Sequence, residues 1–133
     1  MAENRVVITG LGVITPLGLT VQEFWDSLCR GKSGVSRITK FDTDGVSTKI
    51  AAEVKGFDPG LYIKRKDVRR MDLFAQYALA SAVMAIEDAR LDLAHEDLTR
   101  VGVIVGSGIG GIDTLEKQHI VLLQKGPSKI SPF

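Results

Sequence analysis

Cysteine is all but missing from the 133 residues: Cys29 stands alone, so no disulfide can close within the chain. That fits a reducing cytoplasm. Long apolar runs are missing too, since no stretch reaches the ~18 apolar residues needed to cross a bilayer. The charge-free stretch from Val6 to Val21 is broken by Gly10, Gly12, Pro16 and Gly18 and ends without a small-x-small cleavage pattern, which argues against a signal peptide. Excess charge of either sign is absent. The formal net charge is +1, so the overall balance points neither to nucleic acid nor to an anionic membrane. No internal repeat or low-complexity segment interrupts the chain. The expectation is a soluble, cytoplasmic chain of one ordinary domain or a piece of a larger one, and its 44% hydrophobic residues suffice for a core.

What is present alternates between two periodicities. Val6-Val7-Ile8 is β-branched and apolar on both faces, as a strand in the middle of a sheet requires. Thr20 stands three residues before Glu23, a capping-box spacing, and predicts a short helix carrying Phe24, Trp25 and Leu28 and ending near Gly31. Residues 32–45 read as a loop, and Thr48 to Val54 as a second strand. From Met71 to Ala89 the chain is alanine-rich, with no charge between Leu73 and Ile86; those 14 residues are too few to span a membrane and predict a helix buried on most sides. Val101 to Val105 repeats the look of the first strand and runs into Gly106-Ser107-Gly108-Ile109-Gly110-Gly111, then into a helical pattern with Ile112, Leu115 and Leu122. The tail after Gly126 reads as irregular. This alternation predicts an α/β fold with a mainly parallel sheet.

Three groups of residues invite functional readings. The glycine cluster contains G-x-G-x-x-G at Gly106, Gly108 and Gly111, after a strand and before a helix, as a dinucleotide site requires. Its acidic partner should follow ~20 positions on, where the chain instead reads Lys125-Gly126-Pro127-Ser128. Two readings stand beside that one: a tight packing turn, or bare backbone lining a pocket for a thin ligand with Ile109 as its one bulky side chain. A similar temptation, the T-G-x-x-x-G-x-G opening of short-chain dehydrogenases, fails at Ile14 and Pro16. The second group, Lys64-Arg65-Lys66-Asp67-Val68-Arg69-Arg70, holds five of 17 basic residues and is expected just before, or in the first turn of, the apolar helix. Cations there oppose the macrodipole by ~0.3–1 kcal/mol each, which suggests an anionic partner; the alternative is a solvated charged loop. Nucleic acid is disfavoured because no aromatics interleave with these basics. In the third group, Cys29 is expected to pack as a small hydrophobe, and His95 and His119 fall into no metal spacing.

The chain resembles β-ketoacyl-ACP synthases of the elongating type. The resemblance rests on Val6-Val7-Ile8-Thr9-Gly10-Leu11-Gly12-Val13-Ile14-Thr15-Pro16-Leu17-Gly18, on Trp25, on Gly31-Lys32-Ser33-Gly34 and on Phe41-Asp42. It continues through Arg69-Arg70-Met71-Asp72 and Gly106 to Gly111, and ends on Lys129-Ile130-Ser131-Pro132-Phe133. It runs over residues 1–133 and is nearest to the bacterial synthase II form. It implies a thiolase-like fold, with these residues forming the N-terminal portion of the first βαβαβ half, and a homodimer. It also implies a decarboxylating Claisen condensation between an acyl thioester and malonyl-ACP, with the acyl chain delivered on the phosphopantetheine of acyl carrier protein and with no metal or redox cofactor.

Carried over by residue, the resemblance places Gly108 and Ile109 at the acyl-chain pocket and Lys66, Arg69 and Arg70 at the surface that docks the acidic carrier protein. No catalytic residue falls on the chain. The reactive cysteine, both histidines and the supporting lysine are implied beyond Phe133, so these 133 residues alone are expected to be inactive. A non-catalytic, ketosynthase-like partner such as a chain-length factor shares the same N-terminal pattern, and a dinucleotide-binding domain is the third reading.

Overall fold

The computed structural model describes residues 5–131 and divides into two compact units, Met1–Asp58 with Ser81–Leu91, and Pro59–Ala80 with Asp92–Phe133. The expectations at Pro132 and Phe133 lie outside the described residues.

In the first unit, helix α1 (Val21–Cys29) is held at both ends by local sequence. Thr20 is extended (φ −133°, ψ 159°), and its hydroxyl accepts from the Glu23 amide at 3.2 Å. Such a cap contributes about 1 kcal/mol. The Glu23 carboxylate reaches back to the Leu19 amide at 2.9 Å, one residue beyond the reciprocal partner of an ideal capping box. At the other end Gly31 adopts φ 62°, its amide donates to the Leu28 carbonyl and the Lys32 amide to the Ser27 carbonyl. These two bonds are the Schellman pattern. Ser27, buried, donates from Oγ to the Leu17 carbonyl at 3.0 Å and so fastens the helix to the turn that Thr15 and Gly18 close.

Two short strands, β1 (Val35–Arg37) and β2 (Ile50–Ala52), pair antiparallel with Val35 opposite Ala52 and Arg37 opposite Ile50. β1 lies inside the segment expected to be a loop. Beyond the pair, the Glu53 carboxylate accepts from the Thr39 hydroxyl at 2.7 Å and from the Thr39 and Lys40 amides. The Thr39 hydroxyl and then its amide hold Glu53 below the usual carboxylate range, against the opposing effect of burial.

A second small helix, α2 (Arg65–Val68), precedes the longest one, α3 (Leu73–Asp88). The C-terminal half of α3 falls in the first unit. There the chain at Gly12 passes so close to α3 that a Cβ would run into the Ser81 carbonyl. The Leu11 amide donates to Asp88 at 2.9 Å beside it. Ser81, Ala85 and Ala89, four residues apart, present the small side chains this approach needs.

The second unit contains α2, the N-terminal half of α3 and α4 (Ile112–Lys125). All three expected helical patterns form helices. The expectation that α3 is buried on most sides is corrected: only Gln76 and Ala80 are buried, while Leu73, Phe74, Leu79 and Ile86 stay more than a third exposed. The strands expected at 6–8 and 101–105 do not form either. Neither segment pairs with a strand among the described residues, and Val6 and Ile104 are 94% and 99% exposed. A strand exists only where a neighbour takes its N–H and C=O groups, and composition alone cannot supply one. The sheet among the described residues is the β1–β2 pair.

Candidate functional site

The basic cluster lies just before the apolar helix and not in its first turn. Lys64 is extended (φ −61°, ψ 136°) and starts α2, which carries Lys66 exposed on its surface; Arg69 and Arg70 form the turn after it. Gln76, 7% exposed, donates from Nε2 to the Met71 carbonyl at 2.9 Å and the Val68 carbonyl at 3.3 Å. A buried amide thus pins the basic turn onto α3. The N-terminus of α3 is occupied by Asp72, whose carboxylate accepts from the Leu73 amide at 2.6 Å and whose carbonyl begins the helical bonding. An acid at this end complements the macrodipole, so the expected conflict between the cations and the dipole is not present.

The turn forms one side of a groove of about 410 Å³, whose other side is the first turns of α4. Arg69, Arg70, Asp72, Gln76, Thr114 and Lys117 are among its lining residues. Asp72 spans it, its Oδ2 accepting from the Thr114 amide at 3.1 Å and the Thr114 hydroxyl at 3.0 Å. Burial pushes the Asp72 carboxyl up, but the two Thr114 bonds, the Leu73 amide and the Lys117 charge together hold it below its ordinary value. Lys117 pairs with Asp113 at 2.5 Å, one helical turn apart, and the Asp113 hydrogen bond and charge raise its ammonium pKa. Lys66 and Arg69 hold no ion pair among the described residues. The groove therefore presents the Arg69, Arg70 and Lys117 cations together with the Asp72 and Asp113 carboxylates, which are bonded to Thr114 and Lys117.

Gly108 and Ile109 lie outside this groove, in the loop that leads into α4. Ile109 is 78% exposed, and a side chain built at Gly108 would meet no atom within 4 Å. No walled acyl pocket encloses them among the described residues. Only the end of the loop is packed, where Gly110 lies against Phe74 so closely that a Cβ would come within 2.9 Å of the ring. Cys29 is exposed at the end of α1 rather than packed, which corrects the expectation of a small buried hydrophobe. His95 Nδ1 lies 2.8 Å from Asp92 Oδ2 with both side chains exposed, and His119 is exposed on α4. The described residues contain no cluster of three or more potential metal ligands, and no helix among them is long and apolar enough to cross a membrane.

In the sequence Asp72 stands out only as the last residue of Arg69-Arg70-Met71-Asp72, and nothing marks Thr114. Their partnership spans 42 residues and leaves no local signal beyond an acid just before an apolar helix.

Residues 3–133 match the family model described as the N-terminal domain of β-ketoacyl synthase. The chain is 47% identical to the 3-oxoacyl-[acyl-carrier-protein] synthase 2 of Vibrio cholerae, over all of this chain and 32% of that protein. It spans about a third of the length of the curated relatives it matches. Among solved structures it is similar to the ishigamide ketosynthase/chain length factor, at 35% identity and a TM-score of 0.79, covering 98% of this chain and 33% of the other. A type II PKS acyl-carrier protein in complex with its ketosynthase bound to the hexaketide matches at 28% identity and the same TM-score, over 98% of this chain and 33% of that one.

Proposed function

The chain belongs to the β-ketoacyl synthase family, with that family's thiolase-like α/β fold, and on that premise we propose that it is the carrier-docking and pocket-bordering part of a β-ketoacyl-ACP synthase. In this reading the whole protein is an acyltransferase of fatty-acid elongation. An acyl chain passes from acyl carrier protein to a cysteine thiolate. Malonyl-ACP then loses carbon dioxide, its bond electrons remaining as a carbanion. The carbanion attacks the acyl thioester, and the cysteine thiolate leaves as 3-oxoacyl-ACP forms. In this reading the nucleophile and its two histidines are not among residues 1–133, and Cys29, exposed at the end of α1, does not correspond to that nucleophile.

The observation that carries the reading is the basic turn itself. Arg69 and Arg70 are exposed, in a turn held by buried Gln76, and line a groove on a chain of this family. Lys66 on the adjacent α2 is a further exposed cation. Such charges steer an acidic carrier protein to the surface more than they tighten the complex. Gly108 and Ile109 are proposed to border the acyl chain, and the protein to act as a cytoplasmic homodimer.

A condensation assay tests the reading. The protein made from its complete reading frame, given acyl-ACP and malonyl-ACP, is expected to release carbon dioxide and form 3-oxoacyl-ACP. Carrier binding without product, unaffected by thiol alkylation, would instead favour the second reading, a non-catalytic chain-length factor. The likeness to the ishigamide ketosynthase/chain length factor keeps that reading in view.

A further inference from the structure

We propose that Asp72 is a positioning residue that sets acyl-chain selection by capping α4 from outside that helix and so fixing the glycine-rich loop. The inference rests on the condensing function proposed above and adds a residue to which no role has yet been given.

Helix α4 begins without a cap of its own. Gly111 at its N-cap has φ 74° and no side chain, while the first amides of any helix need outside acceptors. Asp72 supplies one from 42 residues upstream, accepting at one oxygen from both the amide and the hydroxyl of Thr114. Its other oxygen accepts from the Leu73 amide. A single carboxylate therefore ties the start of α3 to the start of α4, two residues after Arg70. Phe74, in the first turn of α3, adds a second anchor by meeting the loop at Gly110. Ile109 is 78% exposed, so its position is set by these anchors at the end of the loop rather than by walls around it. Releasing the Thr114 end frees the loop without touching the basic turn, which Gln76 holds separately.

The test compares Asp72→Asn, Thr114→Val and Thr114→Ser in the protein made from its complete reading frame. For Asp72→Asn and Thr114→Val, the ratio of kcat/KM for a long against a short acyl-ACP is expected to change by about fivefold or more. Amide exchange at Thr114 and Leu115, whose amides bond to Asp72 and to the Gly111 carbonyl, should accelerate by about tenfold. Thr114→Ser, which keeps the hydroxyl, is expected to retain the wild-type ratio. An equal loss of activity at every chain length would overturn the proposal and leave Asp72 a merely structural residue, as would unchanged exchange. If Asp72→Asn fails to fold, Thr114→Val decides. A wild-type protein that does not condense would overturn the proposed function, and the exchange measurement would then decide the capping role alone.

Discussion

Reversing one charge separates steering from structure. Arg69 is exposed and holds no ion pair among the described residues, so Arg69→Glu breaks no ion pair among them. Arg70 already interacts within the chain, and its reversal would mix folding with docking. An exposed pair at 4 Å is worth about 1 kcal/mol in water-like surroundings, and measured exposed pairs cluster at about 0.2–1 kcal/mol. Reversal loses that attraction and adds a comparable repulsion, about 0.4–2 kcal/mol in all. At about 1.4 kcal/mol per decade, carrier-protein Kd should rise roughly twofold to thirtyfold at low ionic strength. The screening length shrinks from about 30 Å at 0.01 M salt to about 3 Å at 1 M, so the penalty should shrink towards nothing across that range. Fluorescence anisotropy of labelled carrier protein, titrated at several salt concentrations, measures both quantities. An unchanged Kd at low salt would refute the docking assignment. A loss that persists at high salt would mean that Arg69 acts through packing and that the electrostatic reasoning is wrong.

Gly31→Ala should cost about 1 kcal/mol, because φ 62° is disfavoured for any side chain although no atom lies near enough to clash; denaturant unfolding measures it. Thr39→Val removes the largest influence lowering the Glu53 carboxyl, so its titration, followed by carboxyl-carbon NMR, should move up towards the ordinary range. Asp72 and Glu53 both sit below their unfolded values. The stability they add is present above the ordinary carboxylate range and fades as pH falls through their lowered folded values. Acid unfolding of Asp72→Asn, monitored by circular dichroism, should therefore show a weaker pH dependence in that acidic window than the parent.

The features legible in the sequence were those whose causes are local. Thr20, Glu23 and Gly31 start and stop α1 through contacts within four residues, so their spacing announced the helix before any coordinates. The charge-free run at 73–86 and the pattern after Gly111 likewise became α3 and α4. Legibility failed where the partner is remote. Val6-Val7-Ile8 and Val101 to Val105 have strand composition, but a strand is a relation between two segments, and no described residue pairs with either. β1 lay hidden in a polar stretch because its pairing with β2 is a tertiary fact. The basic cluster suggested a helix start opposed by its own charges, whereas the extended backbone at Lys64 breaks the chain into two helices and leaves Asp72 at the head of the second. The family resemblance did not depend on these errors, since it rested on motif order rather than on strand assignment.

The two close approaches made by glycine differ in what meets them, and the difference has a genetic consequence. At Gly12 the atoms nearest an added Cβ are all main-chain atoms, of Ser81 and Ala85. No replacement at those positions can retract a carbonyl, so a lesion at Gly12 should have no second-site suppressor on the helix it faces. At Gly110 the obstacle is the tip of the Phe74 ring, which a smaller residue removes. A lesion there should be rescued by a single change at Phe74. The first contact can therefore be inherited only as it stands, while the second leaves a two-step path along which both residues can drift together.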